Sequence, residues 1–309
     1  MLKLKFGSII VVLNTARSDR RAYTRSIFVI IENQTFDEER ALYGLKDLNV
    51  KNCCFDGPAD GESAFKECRK IDVSGCFMNL RYPFWHVENA KITDTNFTEN
   101  CRAALWYDKD ILIENSRLGG IKAIRECENI SLKNCSVNSP EFAWKSQNLK
   151  IENVTIEESE YPFFEIRDAE ISGLKMKGKY SFQYDENIEI TDSELNTKDA
   201  FWHTKNVTVK NSIVKSEYLG WYSENLTLIN CRIIGTQPFC YCKNLVLKKC
   251  TMEECDLAFE RSTIDVEVSG KIDSIKNPLA GKITADSIGQ IILEEEICDK
   301  SKTQIICKE

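Results

Sequence analysis

NISLKNCSV (129–137), NLKIENVTI (148–156), NIEITDSEL (187–195), NVTVKNSIV (206–214), NLTLINCRI (225–233) and NLVLKKCTM (244–252) are one motif written six times. The pattern is Asn, apolar, any, apolar, any, Asn/Asp/Gly, small, any, apolar. Weaker copies begin at Asp47, Lys70, Asn89, Asp110 and Asp168, and from Lys70 the starts are 19, 21, 19, 19, 20, 19, 19, 19 and 19 residues apart. A fixed period near 20, with alternate apolar residues inside each copy, is the signature of stacked short strands. The pairs Ile130/Leu132, Leu149/Ile151 and Val207/Val209 put aliphatic side chains on one strand face. Asn115, Asn134, Asn153, Asn211 and Asn230 follow at a bend, and Cys53, Cys76, Ser116, Cys135, Ser193, Ser212, Cys231 and Cys250 supply the small residue after it.

One such turn cannot bury its own apolar face, so turns must stack, at ~4.8 Å each. The expected fold is all-β, a right-handed single-stranded parallel β-helix of about a dozen turns. Asn amides bonding along the axis would remove the cost of burying them. The turn is too short for a helix, which disfavours a leucine-rich repeat.

IIENQTFDEERALYGLKDLNVKNCCFDGPADGESAFKECRKIDV (30–73) and KNPLAGKITADSIGQIIL (276–293) resemble an uncharacterised bacterial family, a domain of unknown function. That family resembles the pectin-lyase-like superfamily of parallel β-helices. The resemblance covers roughly residues 30–293. It implies the fold, and a function among polysaccharide lyases, polygalacturonases and non-catalytic sugar-binding or scaffold proteins. The chain has no N-T-D, D-D, H-G or R-I-K set of polygalacturonases and no clustered Asp calcium site of pectate lyases, so no enzyme mechanism carries over residue by residue.

One repeat across 309 residues predicts one domain, 29–309, with closing strands from about 263. Residues 1–28 lie outside the repeat and read as a disordered arm, an over-extended start, an edge strand or a short signal core. They carry a net charge of +5 within a total of −7, so the remainder is −12. An acidic body argues against nucleic acid and anionic membrane as partners. No run reaches the ~18–20 apolar residues of a spanning helix. Of the 14 cysteines, Cys53, Cys76, Cys135, Cys231 and Cys250 sit in the inward small column, where Cys is an apolar filler, and free thiols suit a reducing cytoplasm. Cys240 and Cys242 form a lone C-x-C, so neither metal nor cofactor is expected. The N-x-S/T matches at Asn96, Asn129, Asn134, Asn153, Asn206 and Asn225 are products of the repeat. Between Phe55 and Ile71 the turn lengthens; Gly57-Pro58 and Asp60-Gly61 predict a turn, and AFKEC (64–68) a short helix.

Chemistry is sought on the third strand of each turn. Four residues before each motif start, and at the corresponding place on the turn after the last, stand Trp85, Trp106, Arg125, Trp144, Phe164, Gln183, Trp202, Trp221, Cys240 and Phe259, a column with all five tryptophans. The next column is His86, Tyr107, Glu126, Lys145, Glu165, Tyr184, His203, Tyr222, Tyr241 and Glu260, with both histidines. The preceding column has no polar side chain, so it should face the core and turn the tryptophans outward; Arg125 and Gln183 agree with that. The alternative is an inward Trp stack. Outward, Trp85, Trp106, Trp144, Trp202 and Trp221 with His86, Tyr107, Lys145, His203 and Tyr222 would bind an oligosaccharide, sugar faces lying on ring faces. The alternative is a scaffold that homodimerises through the aromatic face.

Glu126 and Glu165, two turns apart, stand about 9–10 Å apart at the backbone, at the edge of the ~6.5–9.5 Å of inverting glycoside hydrolysis. If an enzyme, the chain would be a glycoside hydrolase or polysaccharide lyase. Arg125 and His203 are the other catalytic candidates, serving also a third reading, turnover of a small acidic metabolite. The competing account of Glu126–Lys145–Glu165 is a charge ladder that steadies stacked turns.

Overall fold

The computed structural model describes residues 2–6, 9–15, 25–57 and 61–308. The chain forms two compact units, Met1–Ser139 and Pro140–Glu309. Each is a parallel β-solenoid. Over both, the chain winds about 15 turns at the expected spacing, more than the dozen expected, because the sequence outside the repeat also forms strands.

In the first unit, strands Lys46–Lys51, Arg69–Ser74, Glu88–Thr93, Lys109–Glu114 and Glu128–Lys133 pair in parallel, turn upon turn. A second parallel sheet holds the segments after the bend, from Cys54–Asp56 to Ser136–Asn138. A third is made by Phe84–Trp85, Leu105–Trp106 and Ile124–Arg125. Of the stretch before the repeat, Leu2–Phe6 pairs antiparallel with Ile9–Thr15, and that strand with Arg25–Glu32, which then joins Lys46–Lys51 in parallel. The Arg-rich flank at 16–24 lies outside the described residues, as does most of the turn read at 57–61. AFKEC does not form the predicted helix. Residues 64–67 are a turn, because Phe65 is drawn into the core, stacking on Phe84 at 4.8 Å.

The second unit has two parallel sheets of its own, running from Gln147–Glu152 and Thr155–Glu160 to Leu245–Glu253, which serves both. The stretch read as closing strands keeps winding in parallel. Thr263–Val268 pairs with Leu245–Glu253 and with Ala280–Ala285, and Ala280–Ala285 with Thr303–Cys307. The core is a file of rings: Phe163 lies 4.6 Å from Phe182, and Phe182 5.1 Å from Phe201. Such pairs contribute beyond the area they bury.

The corners explain the motif. Asn115, Asn134, Asn211 and Asn230 take φ of 50° to 53°, and the motif-start residues Asn129, Asn187, Asn206 and Asn225 take 55° to 60°. This left-handed conformation is cheap for Asn and Asp and costly for other side chains. Amide ladders do form: Asn206 Nδ2 donates to Asn187 Oδ1 at 3.0 Å and Asn225 Nδ2 to Asn206 Oδ1 at 2.9 Å. Contrary to the expectation, these amides are exposed, so the ladder steadies the surface rather than relieving burial.

Asp108 in the first unit and Asp185 in the second are buried in the column two residues before the motif start. Asp108 Oδ1 accepts the Val87 amide at 2.7 Å, and Asp185 Oδ1 the Ile166 amide at 2.9 Å. The other oxygen of each has no partner among the described residues. Burial drives both carboxyls well above the usual range, outweighing the amide bonds. Where a folded-state pKa is raised, the stability contribution is complete below the unfolded-state pKa and is lost as pH rises through the folded value. Asp185→Asn, which keeps the acceptor and cannot ionise, should therefore stabilise the protein at pH 8 by about 1–3 kcal/mol, with the gain fading toward pH 4; urea titrations at the two pH values measure it. Phe182→Ala should cost about 3–5 kcal/mol in the same assay.

Candidate functional site

The column before the tryptophans is fully buried: Phe84, Leu105 and Ile124 in the first unit, Ala143, Phe163, Phe182, Phe201 and Phe239 in the second. Strand alternation therefore turns the tryptophans outward, where all five are half-buried. The ring nitrogens of three of them are engaged in a regular way, while Trp85 Nε1 is buried with no hydrogen-bond partner among the described residues. In the second unit Trp144 Nε1 donates to Tyr161 O at 2.7 Å, Trp202 Nε1 to Tyr218 O at 2.7 Å and Trp221 Nε1 to Gln237 O at 2.8 Å. Each indole thus latches its own turn to the next. Gln183 plays the same part, its Nε2 donating to Asp199 O at 3.2 Å. It was expected to meet solvent, but this latch leaves it only 7% exposed.

The next column stands further out. In the second unit Tyr184, His203, Tyr222 and Tyr241 form a continuous pile, with centroid spacings of 4.9, 4.9 and 4.7 Å and planes within 9° of parallel. Tyr184 is 51% exposed and Tyr222 46%. These residues open a bend, with φ of 62°, 57°, 61° and 61°. Gly or Asn would hold that conformation at less cost, as Asn does at the other corners. The rings cover one another's faces, so a ligand lying along the pile meets ring edges, hydroxyl and imidazole nitrogen. The face-on sugar contact expected from the sequence is therefore not offered along this column.

In the first unit the rings are engaged by the protein's own charges. Lys66 Nζ sits 3.8 Å from the Trp85 ring centre and Arg125 Cζ 5.0 Å from that of Trp106. Glu126 Oε2 accepts from Trp106 Nε1 at 2.8 Å and Arg125 Nε at 3.0 Å. Burial raises the Glu126 carboxyl, but hydrogen bonds from Trp106 and Tyr107 and the Arg125 charge outweigh it and hold it below the usual range. A carboxyl so held is ionised at neutral pH and is no general acid. His86 stacks on Tyr107 at 5.2 Å.

The remaining catalytic candidates lie in the second unit. Glu165 is paired with Lys145 at 3.5 Å, both side chains nearly half exposed, and His203 is held between two tyrosine rings. An exposed pair of this kind contributes little to stability.

One feature of the second unit escaped the sequence reading. A groove of about 560 Å³ crosses the outer face of its first sheet, with Asn148, Asp168, Asn187 and Asn206 along one side and Lys150, Glu170, Glu189 and Thr208 among its lining. Glu170 and Glu189 are direct register partners, and Lys210 Nζ reaches Glu189 Oε1 at 2.6 Å. The signal was present in the variable position between the two apolar residues of each motif. Among the described residues, no group of three or more His, Cys, Asp or Glu side chains is arranged to hold a metal ion.

Trp202→Phe keeps a ring for Trp221, 5.5 Å away, and removes the bond to Tyr218 O. It should cost about 0.5–1.5 kcal/mol in chemical denaturation.

No curated protein matches the chain significantly. Among solved structures it is similar to PfbA, a surface adhesin of Streptococcus pneumoniae, at 13% identity and TM-score 0.43, over 78% of this chain and 83% of that one. It is similar to the A-module of the mannuronan C-5 epimerase AlgE4 of Azotobacter vinelandii at 8% identity and TM-score 0.32, over 89% and 86%. It is also similar to QnrB1, a plasmid-mediated fluoroquinolone resistance protein, at 8% identity and TM-score 0.26, over 65% and 85%. Likeness at this level says nothing of what the chain binds. The family described as "Protein of unknown function (DUF3737)" matches residues 29–306, and the chain belongs to that family.

Proposed function

We infer that the protein is a carbohydrate-binding solenoid, and that the second unit holds an extended, hydroxyl-rich chain along the Tyr184–His203–Tyr222–Tyr241 column. One observation carries the reading. Four large ring side chains stand in succession on one corner, and Tyr184 and Tyr222 are about half exposed, whereas the phenylalanines that share their left-handed backbone, such as Phe182 and Phe201, are buried. Ring surface left exposed on successive turns points to use as a binding surface.

The chemistry suits a glycan. Tyrosine hydroxyls donate and accept, and a histidine ring nitrogen does either according to tautomer. Repeated at 4.7 to 4.9 Å, they offer a line of polar edges to a polymer of repeating hydroxyls. Binding without turnover is favoured. Glu126 is ionised and engaged by Arg125 and Trp106, Glu165 is paired with Lys145, and His203 is sandwiched.

Glycan-array binding of the full chain, followed by titration of the best glycan, tests this. Tyr184→Ala should weaken binding tenfold or more, equivalent to about 1.4 kcal/mol, with an unchanged circular dichroism spectrum. Saturable binding that survives Tyr184→Ala and Tyr222→Ala together would exclude this surface. Absence of any glycan binding, with Tyr222→Ala dissolving a dimer in sedimentation, would make the face a self-association surface.

A further inference from the structure

The inward small column follows one rule in both units. Each hydroxyl or thiol donates to the carbonyl two residues earlier and accepts an amide from the turn before. Ser116 Oγ donates to Glu114 O at 2.8 Å and accepts from Thr95 N at 3.1 Å. Ser212 does the same with Lys210 O at 2.7 Å and Ser193 N at 3.0 Å. At two places cysteines occupy the column on successive turns, and there the rule brings two thiols together. In the first unit Cys76 Sγ accepts the Cys53 amide at 3.4 Å, and the neighbouring residues Cys54 and Phe77 are register partners. In the second unit Arg232 is the register partner of Thr251, which sets Cys231 beside Cys250.

We propose that Cys53–Cys76 and Cys231–Cys250 are two redox-active thiol pairs, each able to close into a disulfide that staples one turn of the coil to the next. Register partners on parallel strands lie ~4.8 Å apart, inside the ~4.4–6.8 Å Cα window of a disulfide. All four side chains are buried and point the same way, at 0% to 3% exposure. The remaining cysteines include no further stacked pair among the described residues.

The first pair is also chemically asymmetric. Its hydrogen bond to Cys76 lowers the Cys53 thiol to about 7, while the same bond raises Cys76. Cys250 is likewise lowered by its bond to Cys231. One sulfur of each pair is therefore disposed to be the thiolate nucleophile. With a small-molecule disulfide as oxidant, Cys53 Sγ attacks one of its sulfurs and expels the other half as thiolate. Cys76 Sγ then attacks Cys53 Sγ in the mixed disulfide, expelling the second half, and its proton passes to a released thiolate. Two protein thiols are oxidised and one external disulfide is reduced to two thiols.

The test uses the full chain. It is incubated with oxidised glutathione, its free thiols are alkylated after unfolding, and the digest is read by tandem mass spectrometry. The expected result is linked peptides Cys53–Cys76 and Cys231–Cys250, with Tm raised over the reduced protein and restored by dithiothreitol. Cys76→Ser with Cys250→Ser should abolish both the links and the Tm rise. Serine is the column's own residue at Ser116 and Ser212, so the variant keeps the hydrogen-bond pattern. If all four thiols are alkylated after oxidation, or if links join other cysteines instead, the proposal is overturned.

Discussion

The parallel hydrogen-bonded register between successive turns is the constraint on which everything else rests. A strand that pairs with the strand one turn away on either side places each residue against its counterpart in the neighbouring turns. Columns of like side chains result: phenylalanines in the core, amides at two corners, rings on the third. A 19-residue turn must also bend sharply, and it does so through residues in left-handed conformation, such as Asn129, Asn211 and Tyr222. Two corners meet that demand mostly with Asn, Asp and Gly, which tolerate it, with Lys70 and Lys249 as exceptions. The third meets it in the second unit with Lys145, Glu165, Tyr184, His203, Tyr222 and Tyr241, residue types that favour it less.

Columns also decide what an exposed ring can offer. Rings piled at ring-contact spacing spend their faces on each other, as Tyr184, His203 and Tyr222 do, and leave their polar edges to solvent. The tryptophans one residue earlier lie half-buried, and Trp144, Trp202 and Trp221 give their N–H groups to the next turn's backbone. They therefore hold the coil together beneath the outer rings. Burial in the same columns explains the two acids. Asp108 and Asp185 take places where Ser, Thr and Cys stand on other turns, and a neutral acid is the form that fits.

The fold was legible because its signal is periodic. The alternation of Ile130 and Leu132 and the recurrence of Asn fixed strand and bend, and the apolar column at Phe163, Phe182 and Phe201 fixed which way the tryptophans turn. Single residues were less legible, because their surroundings come from a turn some 19 residues away. Gln183 reads as a solvent-facing amide until Asp199 O is found above it. AFKEC reads as helix until Phe65 is seen to take a place in the core file. The groove beside Glu170 and Glu189 depends on which outward side chains stand next to one another on successive turns, which a single turn's sequence does not show. The choice between ring face and ring edge needed the tilt of the planes.

The most direct test of the claim that the outer rings serve binding rather than folding is the stability of Tyr222→Asn. At φ of 61° asparagine is the less strained residue, which offsets the stacking lost with His203 and Tyr241. The account predicts a denaturation free energy within about 1 kcal/mol of the parent. A loss above about 3 kcal/mol, on the scale of a core truncation, would show that the column is kept to hold the coil together and would contradict the binding account.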